Sequence, residues 1–125
     1  MTSRPRLTRR AEFLKVAAGR RKWVAPGLIL QAAAGSPAGA SWRVGFTASR
    51  KVGNAVRRNR AKRRLRATAA AIIPAHGRPG TDYVLIARAD TADRPYAALL
   101  ADLAAALRRI ERGTKPGEGR RGAAA

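Results

Sequence analysis

The chain has 125 residues, enough for about one domain, and it carries 27 lysines and arginines against 7 acidic residues, a net charge of +20. Solubility does not require so large an excess, so the composition indicates an anionic partner, with nucleic acid as the first candidate. Cysteine is absent, which excludes disulfides and thiolate metal sites. The sequence contains neither an apolar run of membrane-spanning length nor a signal peptide, and we therefore expect a cytoplasmic protein.

The positive charge is concentrated in the first half of the chain. Residues 1–66 contain 18 lysines and arginines and one acidic residue, whereas residues 67–125 contain 9 lysines and arginines and six acidic residues. Nine of these cations fall within residues 50–66, a segment without any acidic residue. Such a segment repels itself, and a polyanion relieves that repulsion. We therefore expect the binding surface in the first half and a scaffold in the second.

The chain begins with a basic arm over residues 1–6 and a predicted helix over about residues 8–18. Thr8 is suited to cap this helix. The apolar residues that share one of its faces are Phe13, Val16 and Ala17. We expect the helix to end at Gly19 and the basic residues 20–22.

Two strands are predicted next. Residues 28–33 form a largely apolar run after a Pro-Gly turn, which is typical of a strand. Residues 42–49 alternate between apolar and small or polar side chains, which predicts a strand with one buried face. The residues on that face are Trp42, Val44, Phe46 and Ala48. A short Gly- and Pro-containing loop joins the two strands and predicts an antiparallel hairpin.

The basic segment itself predicts a long helix. Asn54 is suited to cap it after Gly53, and we expect it to run to about Ile73 and to stop at Pro74. The stripe at helical spacing consists of Ala61, Leu65, Thr68, Ala69 and Ile72. The basic side chains surround this stripe: Arg57 and Arg64 on one side, Lys62 and Arg66 on the other, Arg60 and Arg63 roughly opposite.

The last elements are a strand and a helix. Residues 83–87 form a continuous apolar run, as expected for a strand covered on both faces. Pro95 opens an amphipathic helix whose apolar residues are Tyr96, Leu99, Leu100, Leu103, Leu107 and Ile110. The fold class is therefore α+β, a single-domain two-layer sandwich in the order α-β-β-α-β-α. We assign residues 1–112 to this domain and residues 113–125 to a basic disordered tail.

The basic segment also resembles a known signature, that of the bacterial ribonuclease P protein subunit. The resemblance spans about residues 6–111, with its parts in order and at the family's spacing. The segments that carry it are residues 12–16, 43–49, 51–56, 58–60, 62–63 and 82–88, together with Arg66.

The resemblance implies a function and one further property of the fold. The family removes the 5′ leader from precursor tRNA, and its catalyst is an RNA subunit that uses Mg²⁺. The protein would be the accessory subunit of this tRNA 5′-maturation endoribonuclease, with no catalytic residue of its own. The implied partners are ribonuclease P RNA, in a 1:1 ribonucleoprotein, and precursor tRNA, without a membrane or an obligate protein partner. The family fold has an unusual left-handed crossover through the basic helix.

The resemblance also implies two sets of binding residues. The residues implied to bind the RNA subunit are Lys51, Asn54, Arg57, Arg60, Arg63, Arg64 and Arg66. The residues implied to face the single-stranded leader, in a cleft between the first helix and the sheet, are Phe13, Val16, Gln31, Arg58, Asn59 and Lys62. Other members often place aromatic rings at positions that align near Ala17 and Gln31. This chain has none there, so we expect weaker base stacking on the leader.

Protein-based chemistry is disfavoured by the sequence. The single histidine, His76, falls in a predicted Gly/Pro loop, and the seven acidic residues show no paired spacing. Metal ligands at zinc spacing are absent, so we expect no metal bound by the protein.

Two functional alternatives remain. A stand-alone structural RNA-binding protein, such as a ribosomal protein or RNA chaperone, would share the charge and the α+β fold but would not affect precursor-tRNA cleavage. A nonspecific DNA-compacting protein is disfavoured by the uneven charge and by the specific order Arg58, Asn59, Arg60.

Overall fold

The computed structural model of the chain describes residues 7, 10–19, 21–34 and 42–111. Within them the elements are α1 (Arg10–Ala18), β1 (Arg21–Val24), β2 (Leu28–Ala34), β3 (Arg43–Thr47), α2 (Ala55–His76), β4 (Thr81–Ala87) and α3 (Tyr96–Glu111). A 3₁₀ turn, Arg50–Val52, precedes α2. The predicted N-terminal arm, the Thr8 cap and the tail from residue 113 lie outside the described residues. The predicted α+β class is confirmed.

The strands form one sheet in the spatial order β1-β2-β4-β3. Strand β2 is antiparallel to both β1 and β4, whereas β3 is parallel to β4. Parallel neighbours require a crossover connection, and α2 supplies it between β3 and β4. The left-handed sense of this crossover stays a prediction.

Two expectations about the sheet were wrong. The predicted β2–β3 hairpin does not form, because β4 lies between these strands. Strand β4 is apolar along most of its length, and only a central position in the sheet buries both of its faces. The predicted order also lacked β1, since the basic residues 20–22 were interpreted as the end of a helix. Arg21 and Lys22 instead begin a short strand that pairs with β2.

The two faces of the sheet are covered by different helices. The face with Leu30, Val44 and Leu85 contacts α2 and α3, and most of the core lies there. The opposite face contacts α1, where Val16 and Val84 are buried. The main core is therefore sheet against α2 and α3, and α1 covers a smaller, separate cluster.

Helix α2 packs through the predicted stripe, with small differences. Ala61, Leu65, Thr68 and Ala69 are buried, but Ile73 rather than Ile72 completes the buried row. Pro74 does not stop the helix and lies inside its last turn. Pro74 has no N–H to donate to the carbonyl four residues earlier, so this turn lacks one backbone hydrogen bond. The Gly77 amide closes the turn by donating to the Ile73 carbonyl over 2.6 Å.

Asp102 joins α3 to the β1–β2 turn. Its carboxylate accepts from the Gly27 amide at 3.0 Å and from Arg94 Nε at 2.7 Å. Thr91 Oγ1 donates to the Gly27 carbonyl at 2.7 Å and accepts from the Arg88 amide at 2.7 Å. These bonds fix the loop before α3, whose carbonyl groups accept hydrogen bonds from arginines of α2.

We expect Asp102→Ala to lower the free energy of unfolding by about 2–4 kcal/mol, because it leaves the Gly27 amide and the Arg94 guanidinium without their shared acceptor. Urea denaturation measures this loss. Asp90→Ala, which removes an exposed carboxylate in the same loop, is the control and should change stability by no more than about 0.5 kcal/mol. Equal effects of the two variants would contradict this role of Asp102.

Candidate nucleic-acid interface

The basic helix begins at a defined cap. Asn54 is the N-cap residue, as predicted, and its side chain accepts a hydrogen bond of 2.9 Å from the Arg57 amide. Gly53 has a φ of 140°, a backbone conformation that disfavours every residue with a Cβ. A Cβ there would also lie 2.7 Å from Arg57 Cδ. The Gly-Asn pair is thus explained by the start of the helix.

One side of α2, which we call the inner flank, carries Arg57, Arg60 and Arg64 and faces the loop before α3. Arg64 Nη1 donates to the carbonyls of Thr91 and Ala92 at 3.3 and 2.8 Å, and its Nη2 donates to the Arg94 carbonyl. Arg60 Nε donates to the Ala92 carbonyl at 2.9 Å. These arginines hold the loop 89–94 against the helix.

Arg57 makes the third part of this contact and adds an ion pair. Its guanidinium donates to the carbonyls of Val52 and Ala89 at 3.1 and 3.2 Å and to the Asp93 carboxylate at 2.5 Å. The hydrogen bond from Arg57 holds the pKa of Asp93 below its ordinary value, and the charges of Arg60 and Arg64 act in the same direction. The Asp93–Arg57 pair therefore stabilises the fold at pH values above the unfolded-state pKa of Asp93. This stabilisation is lost as the pH falls through the lowered folded-state pKa of Asp93.

The other side of α2, which we call the outer flank, carries Arg58, Asn59, Lys62, Arg63 and Arg66. Arg58 donates to the Gly53 carbonyl at 2.8 Å. The other four side chains make no hydrogen bond or ion pair with any residue that the structure describes. They are exposed or half-buried and positively charged, apart from the amide of Asn59. Lys51, in the preceding 3₁₀ turn, is exposed as well.

The residues predicted to line the leader cleft fall on two faces of the molecule. Phe13 is half-buried on α1 and packs against the cluster of Leu7, Val16 and Val84. Gln31 is half-buried on the same face of the sheet, opposite Val84 in the neighbouring strand. Val16 is only 1% exposed, so its side chain belongs to the core. Arg58, Asn59 and Lys62 lie on α2, which packs on the opposite face.

Gly45 permits the close approach of Phe13 to the sheet. A Cβ at this position would lie 2.6 Å from two carbons of the Phe13 ring. The ring thus rests directly on the backbone of β3, which is an edge strand of the sheet. The outer flank lies on the side of α2 away from the loop before α3, and α2 contacts β3 and β4 while α3 contacts β1 and β2. Strand β3 thus carries the Phe13 ring on one face and contacts α2 on the other.

Arg43 joins α1 to the sheet. Its guanidinium donates to both oxygens of Asp82, at 2.9 and 2.7 Å, and to Glu12 at 2.8 Å. The hydrogen bond to Asp82 raises the pKa of Arg43 above its ordinary value, so this cation stays charged at every physiological pH. Asp93 and Asp102 are also bound to arginines, so four of the described acids form ion pairs within the fold.

The loop 89–94 was not anticipated from the sequence. Its carbonyl groups are present in any sequence, so no side-chain pattern marks them as acceptors for arginine. The available signal was Asp90 and Asp93, two acids close together in a chain that has only seven.

A family model described as Ribonuclease P matches residues 1–111. The chain belongs to the ribonuclease P protein family.

Curated relatives and solved structures agree with this membership. The ribonuclease P protein component of Paramagnetospirillum magneticum is 60% identical over 108 residues, covering 84% of this chain and 81% of the relative. That of Ruegeria pomeroyi is 55% identical over 108 residues, covering 83% and 84%. The ribonuclease P protein of Staphylococcus aureus superposes with a TM-score of 0.71 at 22% identity, covering 87% of this chain and 97% of that one. The Thermotoga maritima protein superposes with a TM-score of 0.71 at 24% identity, covering 85% and 97%.

Family membership makes this chain a protein subunit of ribonuclease P, which implies a partnership with ribonuclease P RNA. The stand-alone structural RNA-binding protein is not favoured. None of the described helices is long and apolar enough to cross a membrane. The division of the ribonuclease P signature residues between RNA subunit and leader stays a prediction.

We expect Asn54→Ala to lower the free energy of unfolding by about 1 kcal/mol, the usual effect of losing an N-cap acceptor. Asn54→Asp should retain the stability, because its carboxylate also accepts from the Arg57 amide and is favoured at a helix N-terminus. Denaturant titration of both variants measures the difference. An equal loss of stability in both variants would show that the hydrogen bond from the Arg57 amide is not the reason why Asn54 stabilises the protein.

Proposed function

We propose that this subunit binds the catalytic RNA through the outer flank of α2 and guides the 5′ leader of precursor tRNA over the β3 edge towards Phe13. It thereby promotes endonucleolytic removal of the leader, which yields the mature tRNA 5′ end. The partners are one ribonuclease P RNA and the precursor tRNA, and the protein acts in the cytoplasm. The bond cleavage is carried out by the RNA, because the described protein side chains offer no plausible general acid or base near this surface.

The observation that carries this proposal is that four of the five outer-flank side chains have no partner among the described residues. The cationic side chains among them, Lys62, Arg63 and Arg66, are exposed or half-buried and make no hydrogen bond or ion pair with any other described residue. Cations placed this way release counterions when they meet phosphates, which is the main source of affinity for RNA. The half-buried aromatic ring of Phe13 gives the second element of single-strand recognition, a face on which a base can stack.

Mg²⁺ is the metal expected in this reaction, and it would bind to the RNA subunit. The described protein carboxylates fit a magnesium site poorly. Glu12 and Asp82 are bound to Arg43, Asp93 to Arg57 and Asp102 to Arg94, whereas Mg²⁺ requires free carboxylate oxygens. Asp90 is exposed but offers a single carboxylate. No group of three or more candidate ligands occurs in the described part of the chain.

A cleavage assay tests the proposal. The protein is mixed with a bacterial ribonuclease P RNA and a 5′-extended precursor tRNA at low Mg²⁺, and the rate of correct 5′ cleavage is compared with the RNA alone. We expect a large protein-dependent increase in this rate. Binding to the RNA without an increase in the cleavage rate would overturn the proposal and favour a structural RNA-binding role.

The role of Phe13 in substrate binding is tested with Phe13→Leu, which keeps an apolar side chain but removes the stacking ring. We expect the affinity of the assembled enzyme for leader-containing precursor tRNA to fall by about 1–3 kcal/mol, the value of one base-stacking contact, while assembly with the RNA subunit is unchanged. Leu14→Ala, at a neighbouring residue that is 56% exposed, is the control and should change neither. Weaker assembly, or equal affinity for substrates with and without a leader, would contradict this role.

A further inference from the structure

The two flanks of α2 differ in what their cations must give up in order to bind RNA. On the inner flank, Arg64 has both terminal nitrogens bound to carbonyl oxygens, and Arg57 has its Nε and Nη2 bound. Arg60 is bound through Nε alone. A phosphate that draws Arg64 away from the loop breaks three hydrogen bonds, whereas one that draws Arg63, the next residue along the chain, breaks none with the described residues.

The acceptors on the inner flank would also lose their partners. The carbonyls of Thr91, Ala92 and Arg94 converge on the single guanidinium of Arg64. Hydrogen bonds to a charged donor are stronger than neutral ones, and leaving a partly buried carbonyl without a partner adds a desolvation cost. Recruitment of Arg64 by RNA would therefore oppose the packing of the loop that leads into α3.

Asp93 adds a negative charge on the same side. Its carboxylate is 65% exposed and pairs with Arg57, and Asp90, also exposed, lies near enough to act on Arg57 electrostatically. Both acids repel an approaching phosphate. The outer flank contains no acidic residue, since none occurs between Glu12 and Asp82 in the sequence and Glu12 is bound to Arg43.

We propose that the loop 89–94 acts as an internal anion that withdraws Arg57 and Arg64 from RNA and confines the RNA to the outer flank, at Asn59, Lys62, Arg63 and Arg66. Arg60, bound through one nitrogen, lies at the border between the two surfaces. This inference rests on the proposed function, because the anion to be confined is the ribonuclease P RNA. It alters the sequence-based assignment, which gave Arg57, Arg63 and Arg64 the same role.

Neighbouring arginines provide a matched test. Arg63→Ala and Arg64→Ala remove the same charge from the same helix, and their affinities for ribonuclease P RNA are measured over a series of KCl concentrations. For Arg63→Ala we expect about tenfold weaker binding, the value of one charge-assisted contact, and a salt slope reduced by about 0.9. Its melting temperature should not change.

For Arg64→Ala we expect the opposite pattern. The melting temperature falls and the amides of the loop 89–94 exchange faster, while the affinity, measured well below that melting temperature, stays within about threefold of the wild type. The salt slope is unchanged. A slope reduced by as much as in Arg63→Ala, at an unchanged melting temperature, would overturn the inference.

A second pair of variants tests the inference without removing an arginine. Asp93→Asn and Asp90→Asn raise the net charge equally, but only the first breaks an ion pair with α2. We expect Asp93→Asn to bind the RNA up to about fivefold more tightly than Asp90→Asn, because it releases Arg57 from an exposed ion pair. Affinity equal to or weaker than that of Asp90→Asn would count against the internal anion.

The two proposals fail in different ways. A wild-type protein that neither binds ribonuclease P RNA nor accelerates its cleavage of precursor tRNA overturns the proposed function. A wild-type protein that does both, with equal losses of affinity and salt slope in Arg63→Ala and Arg64→Ala, overturns only the confinement of RNA to the outer flank.

Discussion

The structure depends on how a helix with many cations and no acids is held against an apolar core. Side chains of like charge along α2 repel one another. Burial of the stripe from Ala61 to Ile73 keeps the helix folded and so holds these charges close together. The loop 89–94 offsets part of that repulsion by turning four carbonyl groups and one carboxylate towards the inner flank. Helix α2 thus contacts the loop before α3 through polar groups, while α2 and α3 pack together through their apolar stripes.

The scarce acids of the described residues reinforce the same arrangement. Asp102 fixes the loop from the side of the β1–β2 turn, while Arg64 fixes it from the side of α2. Arg43 links Glu12 on α1 to Asp82 on β4. Each of these carboxylates satisfies an arginine that is itself partly removed from water, which is the usual requirement for a charge away from the surface. Their use in structure leaves the outer flank without a neutralising acid.

The fold class and most elements could be predicted from the sequence because they depend on local patterns. The Asn54 cap, the α2 stripe and the apolar run of β4 each follow from neighbouring residues. The pairing of the strands could not be predicted in this way, because the position between β2 and β3 is taken by a strand about forty residues farther along the chain than β3. Strand β1 was missed since four residues, two of them basic, give too short a pattern to separate from a helix end.

The binding surface was predicted as a set of residues but not as two flanks. Arg63 and Arg64 are adjacent and chemically identical, and the sequence offers no reason to separate them. Only the position of the loop 89–94 does so, and its acceptors are backbone carbonyls that no side-chain pattern reveals. The burial of Val16 could not be predicted from the sequence either, because it depends on how α1 crosses the sheet.

The position of β3 at the sheet edge gives these observations a common geometry. On one face of the sheet β3 carries the backbone of Gly45 under the Phe13 ring, and beyond the other face lies the outer flank of α2. In the proposed function a single strand of RNA crosses β3, with its phosphates held by the cations of α2 on one side and a base stacked on Phe13 on the other. The inner flank is held by α3 and its loop and cannot take part in that path without disturbing the core. Under the proposed confinement, a protein with charge in such excess presents RNA with one defined surface.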